Sequence, residues 1–170
     1  AQTGIPLVRL ERPGWGDHPR AGTWTWVPDT AAALAAGVDA QRPFLTTGRQ
    51  SLAAFLPWAD RTVLARVVDP PDFPLPSAWR LITSRGPYAY AEEHRLLHEH
   101  RADLLVTKDS GGTHTVAKLD AAADLGVRVV VISRPQRTEG VPTVDMMRAV
   151  QEVKALDAMV PAQKRKNVMV

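Results

Sequence analysis

Short apolar runs alternate along the chain with amphipathic stretches, punctuated by Gly, Pro, Asp and Ser. Leu7-Val8-Arg9-Leu10 predicts a first strand, and Arg12–Pro19 a loop by its Pro and Gly content. Thr23-Trp24-Thr25-Trp26-Val27 alternates small polar and large apolar residues, the period-two pattern of a strand. Asp29 is placed to cap a helix over Ala31–Ala36, with Gly37 just past its end. From there a strand, turn and helix unit recurs. Strands are predicted at Phe44–Thr47, Thr62–Val68, Trp79–Thr83, Asp103–Thr107 and Val127–Ile132. Helices are predicted at Ser51–Leu56, Ala91–His100, Thr115–Leu125 and Thr143–Leu156, the last with Pro142 near its entry. Asp69–Pro76 carries too many prolines for a ladder and is a loop.

Leu104-Leu105-Val106 and most of Val127–Ile132 are continuous apolar runs, as in strands buried on both faces. Strands alternating with helices across short turns predict a layered α/β sheet. At 170 residues the chain is long enough for one domain, or one domain and a fragment, around a sizeable core.

Composition narrows the chemistry. Without cysteine there is no disulfide scaffold, thiolate zinc site or cysteine nucleophile. No apolar run approaches the ~20 residues of a membrane helix. No basic-then-apolar leader opens the sequence, so the expected compartment is cytoplasmic. The formal charge of +3 does not call for a nucleic acid. With 16 Arg and only 5 Lys, lysine placement is informative. Lys154, Lys164 and Lys166 lie near the end, while Lys108 and Lys118 flank one short segment.

Ligands of open α/β sheets bind beyond the carboxyl ends of the strands. Four predicted turns stand there: Thr47-Gly48-Arg49-Gln50, Thr83-Ser84-Arg85-Gly86-Pro87, Thr107-Lys108-Asp109-Ser110-Gly111-Gly112-Thr113 and Ser133-Arg134-Pro135. Each pairs a hydroxyl with a fixed positive charge, and three contain glycine. Such a rim suits phosphates or carboxylates, because glycine lets the backbone approach and Arg or Lys adds charge-assisted bonds. The plainer alternative is that the hydroxyls are caps, the glycines turn formers and the arginines surface charges. Asp109 is equally a loop-capping residue, and Lys118, inside a helix, either binds an anion or lies on a solvated face.

Other motifs fail. No Walker loop, dinucleotide fingerprint or nucleophile elbow is present, and Asp109, Ser110 and His114 lie adjacent without triad geometry. His94 and His98 share a helix face near Glu93 and His100, but no third metal ligand is identifiable, so no metal is expected. The five tryptophans are expected in the core or between domains, with stacking on a flat ligand as the sharper alternative.

One family fits these segments together. Leu105–Gly112, Ala117–Ala122, Leu125-Gly126-Val127 and Ser133-Arg134-Pro135 resemble the C-terminal half of precorrin-6A reductases. Leu10–Trp15, Thr47–Gln50 and Thr83–Tyr88 agree and occur in the right order. The resemblance spans about residues 3 to 156 and is most specific at Thr107–Gly112 with Ala117-Lys118-Leu119. It implies a Rossmann-like open, mostly parallel sheet with helices on both faces, the second of the family's two domains. It also implies NADPH-dependent reduction of a macrocycle double bond of precorrin-6A to precorrin-6B in cobalamin biosynthesis, by hydride transfer.

On this resemblance Thr47, Gly48, Arg49, Gln50 and Arg134 are assigned to NADPH. Ser84, Arg85, Gly86, Lys108, Asp109, Ser110, Gly111 and Gly112 are assigned to the tetrapyrrole. The sequence alone does not say which turn holds which ligand, nor which side chain is catalytic. Residues 1–12 are expected to end a missing Gly-rich N-terminal domain, 13–141 to form the α/β domain, 142–157 a return helix and 158–170 a loose tail. The expected partner is a small tetrapyrrole, with no nucleic acid or membrane, and the expected state a monomer. The rival readings are an anion-binding α/β module without activity of its own and an unrelated nucleotide-using transferase. A nucleic-acid binder resting on Lys164-Arg165-Lys166 is the remote third.

Overall fold

The structure is a computed structural model and describes residues 9–135, 143–144 and 146–159. Residues 14–135 form one compact unit, and the described residues outside it, 9–13, 143–144 and 146–159, belong to a second. In the second unit, strands β1 (Arg9–Leu10) and β8 (Thr143–Val144) pair in parallel, Arg9 opposite Thr143 and Leu10 opposite Val144. Helix α5 runs over Met146–Met159. This corrects the predicted start of the last helix at Thr143: Thr143 and Val144 are β-branched and take the ladder instead. Leu7 and Val8, the Gln136–Gly140 loop, Pro142 and the Lys164-Arg165-Lys166 run lie outside the described residues.

The first unit holds a six-stranded sheet. Its strands are β2 (Thr25–Val27), β3 (Pro43–Thr46), β4 (Leu64–Val67), β5 (Arg80–Thr83), β6 (Leu104–Lys108) and β7 (Arg128–Ile132). They are ordered β2-β7-β6-β3-β4-β5, and every pair is parallel. Alternate strand residues enter two separate cores. Leu45, Ala65, Val106 and Val130 face one, with α1 (Thr30–Ala36), α2 (Arg49–Leu52) and the 3-10 turn Ala53–Trp58. Phe44, Leu64, Leu105 and Val131 face the other, with α3 (Tyr90–His100) and α4 (Ala117–Asp124). Burial on both faces explains the unbroken apolar runs. Each fully buried Leu or Phe contributes roughly 1.5–3 kcal/mol by leaving water. The observed α/β fold, an open parallel sheet with helices on both faces, is the one expected.

Several boundaries differ. The second strand begins at Thr25, because Ala21–Thr23 closes a 3-10 turn first. The helix predicted from Ser51 starts at Arg49 and tightens to 3-10 geometry at Ala53, where Pro57 cannot donate an amide. Lys108, expected in a loop, ends β6 opposite Ile132. The helix expected from Thr115 begins at Ala117, after a 3-10 turn over Thr113–Thr115. The Asp29 cap is as expected: its carboxylate accepts the Ala32 amide at 2.8 Å. Asp29→Ala is therefore expected to cost about 1 kcal/mol, read as a lower midpoint in urea unfolding.

Four of the five tryptophans, Trp15, Trp24, Trp58 and Trp79, are buried, and Trp26 packs on the same core as Trp24.

Candidate functional site

Because all six strands are parallel, their carboxyl ends lie on one edge of the sheet. The four hydroxyl-and-cation turns follow β3, β5, β6 and β7 and so share that edge. The chain runs outward from β3 through β4 to β5, then returns to β6 on the other side of β3. After β3 it enters the helices on one face; after β6 it enters the helix on the other. The gap between those two strand ends is the topological switch point, where such sheets bind ligands.

A crevice of about 150 Å³ opens there, lined by Thr46, Gly48, Arg66, Val67, Val68, Tyr88, Ser110, Thr115 and Lys118. Beside it, a groove of about 350 Å³ runs along β5 past Ser84, Arg85, Pro87 and Glu92 and shares Arg66 and Tyr88 with the crevice. Gly48 and Ser110, expected to serve different ligands, thus meet in one cavity. Ser84 and Arg85 line the groove, whereas Arg49, Gln50 and Lys108 are exposed on the edge and line neither cavity. Gly86 is exposed in the turn after β5.

Gly111 and Gly112 take φ of 61° and 72°, which lets the turn after β6 fold back under Trp15. The Trp15 indole donates to the Gly112 carbonyl at 3.1 Å, and the Trp15 amide donates to the Asp109 carboxylate at 3.1 Å. Arg134 donates to the Asp109 carbonyl at 3.1 Å and stands 3.4 Å from its carboxylate. Ser110 and Thr115 hydroxyls are 2.9 Å apart. Thr47 is buried, and its hydroxyl has no hydrogen-bond partner among the described residues.

Arg66 and Glu93 were not among the expected site residues. Arg66 leaves the middle of β4 into the α3 side of the sheet and forms a two-pronged ion pair with Glu93, one prong Nη2 to Oε2 at 2.9 Å. The side chains are 4% and 1% exposed. The guanidinium also lies 3.8 Å from the Tyr88 ring centre and 5.2 Å from that of Phe44. A charge inside the apolar run Leu64-Ala65-Arg66-Val67 was the available signal.

Lys118 is not on a solvated face. It is 4% exposed, donates to the Thr115 carbonyl at 2.6 Å and sits 4.7 Å over the Trp15 ring. Burial first, and the Arg66 charge second, pull its amine down to about 7, with Glu93 opposing. The His94 and His98 rings stack with centres 6.5 Å apart; among the described residues no group of three or more His, Asp or Glu gathers as metal ligands. Among those residues, too, no helix is long and apolar enough to cross a membrane.

Comparison with known proteins adds identity to this geometry. A sequence model described as Precorrin-6x reductase CbiJ/CobK matches residues 1–157. A Precorrin-6A reductase of Rhodococcus erythropolis is 47% identical over 144 residues, covering 84% of this chain and 57% of that protein. One from Mycobacterium tuberculosis is 47% identical over 145 residues, covering 85% and 58%. A solved structure, CobK precorrin-6A reductase, superposes with a TM-score of 0.79 at 36% identity, covering 94% of this chain and 66% of that one. The chain thus spans well under two thirds of these curated relatives. The match along nearly its whole length places the chain in the precorrin-6x reductase family.

Proposed function

We propose that this chain acts in the reduction of one macrocycle double bond of precorrin-6A, giving precorrin-6B in cobalamin biosynthesis, with NADPH as the reductant. The observation that carries this reading is the gathering of four hydroxyl-and-cation turns on one sheet edge, around the switch point, in a member of this family. The donor set fits both ligands: macrocycle carboxylates and nucleotide phosphates are each met by Arg, Lys, hydroxyls and open backbone. Thr47 offers a hydroxyl without a partner among the described residues, and Gly48 has no atom within 4 Å of where a Cβ would stand. Bound NADPH would supply the hydride. The chain's part is to hold and orient: Thr47, Gly48, Arg49, Gln50 and Arg134 for the nucleotide, and Ser84, Arg85, Gly86, Lys108, Ser110, Gly111 and Gly112 for the carboxylate fringe, with Asp109 fastening the turn that carries the last of them. No side chain of the rim is required as a nucleophile.

The test is an anaerobic absorbance record of the chain with NADPH and precorrin-6A. Joint change of the nicotinamide and macrocycle bands supports turnover. Binding without turnover would support the second reading, a ligand-holding part of a reductase, which the partial coverage of the relatives favours. In an active preparation, Arg85→Ala and Lys108→Ala are each expected to raise KM for one substrate about tenfold with little change in kcat, as loss of one charge-assisted contact predicts. Wild-type KM values in both variants would remove these turns from the site.

A further inference from the structure

The crevice at the switch point contains a buried amine with no counter-charge in contact among the described residues. In its charged form Lys118 has three donors and no acceptor capacity, and one donor is used by the Thr115 carbonyl. Glu93, a buried carboxylate nearby, is committed through both oxygens to Arg66. Among the described residues no carboxylate forms an ion pair with Lys118. A buried cation left this way is costly, and a ligand anion is what would relieve it. The cavity suits a small group rather than a ring: about 150 Å³, with the hydroxyl-bearing residues Thr46, Ser110 and Thr115 and the cations Arg66 and Lys118 on its walls.

We propose that this crevice is a subsite for a single carboxylate or phosphate group, held by Lys118 with Ser110 and Thr115, beside the Arg66–Glu93 pair. The subsite rests on the reductase reading only for the source of that group, a macrocycle carboxylate or a nucleotide phosphate.

The electrostatics give the subsite a signature. The titratable and charged groups around the amine are Arg66 on β4, Glu93 on α3, the Tyr88 phenol after β5, Asp109 beyond Trp15 and the exposed His114 of the adjoining turn. Burial and Arg66 keep the amine near 7, so at pH 8 it is mostly neutral. An anion in contact raises it again, and the amine takes up a proton as the ligand binds. At pH 6 the amine is already mostly charged, so the uptake is smaller.

The experiment is titration calorimetry of the whole chain at pH 6 and pH 8, in buffers of different ionisation enthalpy. Two probes separate the sources: NADP+ for phosphate and uroporphyrin, a stable tetrapyrrole carboxylate, for the fringe. One probe is expected to bind with net proton uptake at pH 8 that is smaller at pH 6 and is missing at pH 8 in the Lys118 variants. Lys118→Met is expected to bind that probe at least about tenfold more weakly, without uptake, and the other probe unchanged. Lys118→Arg keeps the charge and is expected to bind without uptake. Lys118→Met removes a buried amine, so it is expected to fold; should it not, proton uptake by the unmodified chain decides alone. Affinity of Lys118→Met for both probes unchanged from that of the unmodified chain, or binding without uptake at pH 8, overturns the subsite and leaves the reductase reading standing. Failure of the unmodified chain to bind either probe overturns the subsite, while absence of turnover with NADPH and precorrin-6A is what counts against reduction by this chain.

Discussion

Glu93→Gln is expected to destabilise the first unit by about 3–5 kcal/mol, seen as a large drop in the urea midpoint with an unchanged slope. The reason lies in what remains. Arg66 is 4% exposed on the α3 side of β4, and its guanidinium lies over the Tyr88 and Phe44 rings. Both its prongs end on Glu93, so the amide variant strands a buried charge among rings. The pair itself is not the source of stability. Arg66→Met combined with Glu93→Leu is expected to recover most of the loss, because neither ion then needs burying. A Glu93→Gln midpoint within about 1 kcal/mol of wild type would mean that water reaches the guanidinium. The pair joins β4 to α3 directly beneath the crevice, so the single variant is also expected to disturb Lys118. Without Glu93, the amine loses the one neighbour that holds its affinity for protons up.

This pair marks where the sequence stops being legible. The strands could be read because burial on two faces writes uninterrupted apolar runs such as Leu104-Leu105-Val106, and the first helix because Asp29 and Gly37 bracket it. The candidate turns could be read because each follows a strand and combines hydroxyl, cation and glycine. Strand order could not be read: β6 returns beside β3 rather than adding beyond β5, and only that return creates the switch-point crevice. Glu93 sits next to Glu92 on a polar helix, and nothing local distinguishes the buried carboxylate from the exposed one. Lys118 is similar: its helix, Ala117–Asp124, is rich in Ala and short acidic residues, and the apolar cover comes from Trp15, far away in sequence. Long-range partners decide Glu93 and Lys118 and leave no mark on local pattern; Arg66 alone carries one, as a charge inside an apolar strand.

Asp109→Ala is expected to cost about 1.5–3 kcal/mol, the range for hydrogen bonds to a charged group. The carboxylate is 10% exposed and fastens two distant segments to the end of β6. It accepts the Trp15 amide, and Arg134 stands against its other oxygen. Gly14 packs so closely that a Cβ there would come within 2.7 Å of the carboxylate. Asp109→Asn keeps one carbonyl oxygen for the Trp15 amide and is expected to lose about half as much. The same geometry links stability to the site. Trp15 covers the Lys118 amine and holds the Gly112 carbonyl, so releasing its amide loosens the floor of the crevice and the turn after β6 together. In a reductase assay, Asp109→Ala is therefore expected to lose more kcat/KM than Lys108→Ala, although Lys108 is the more exposed residue on the rim. Lost activity with wild-type stability would show instead that the carboxylate meets a ligand directly. Wild-type values for both would leave Asp109 with neither role, and the order Ala worse than Asn in urea is the first result to obtain.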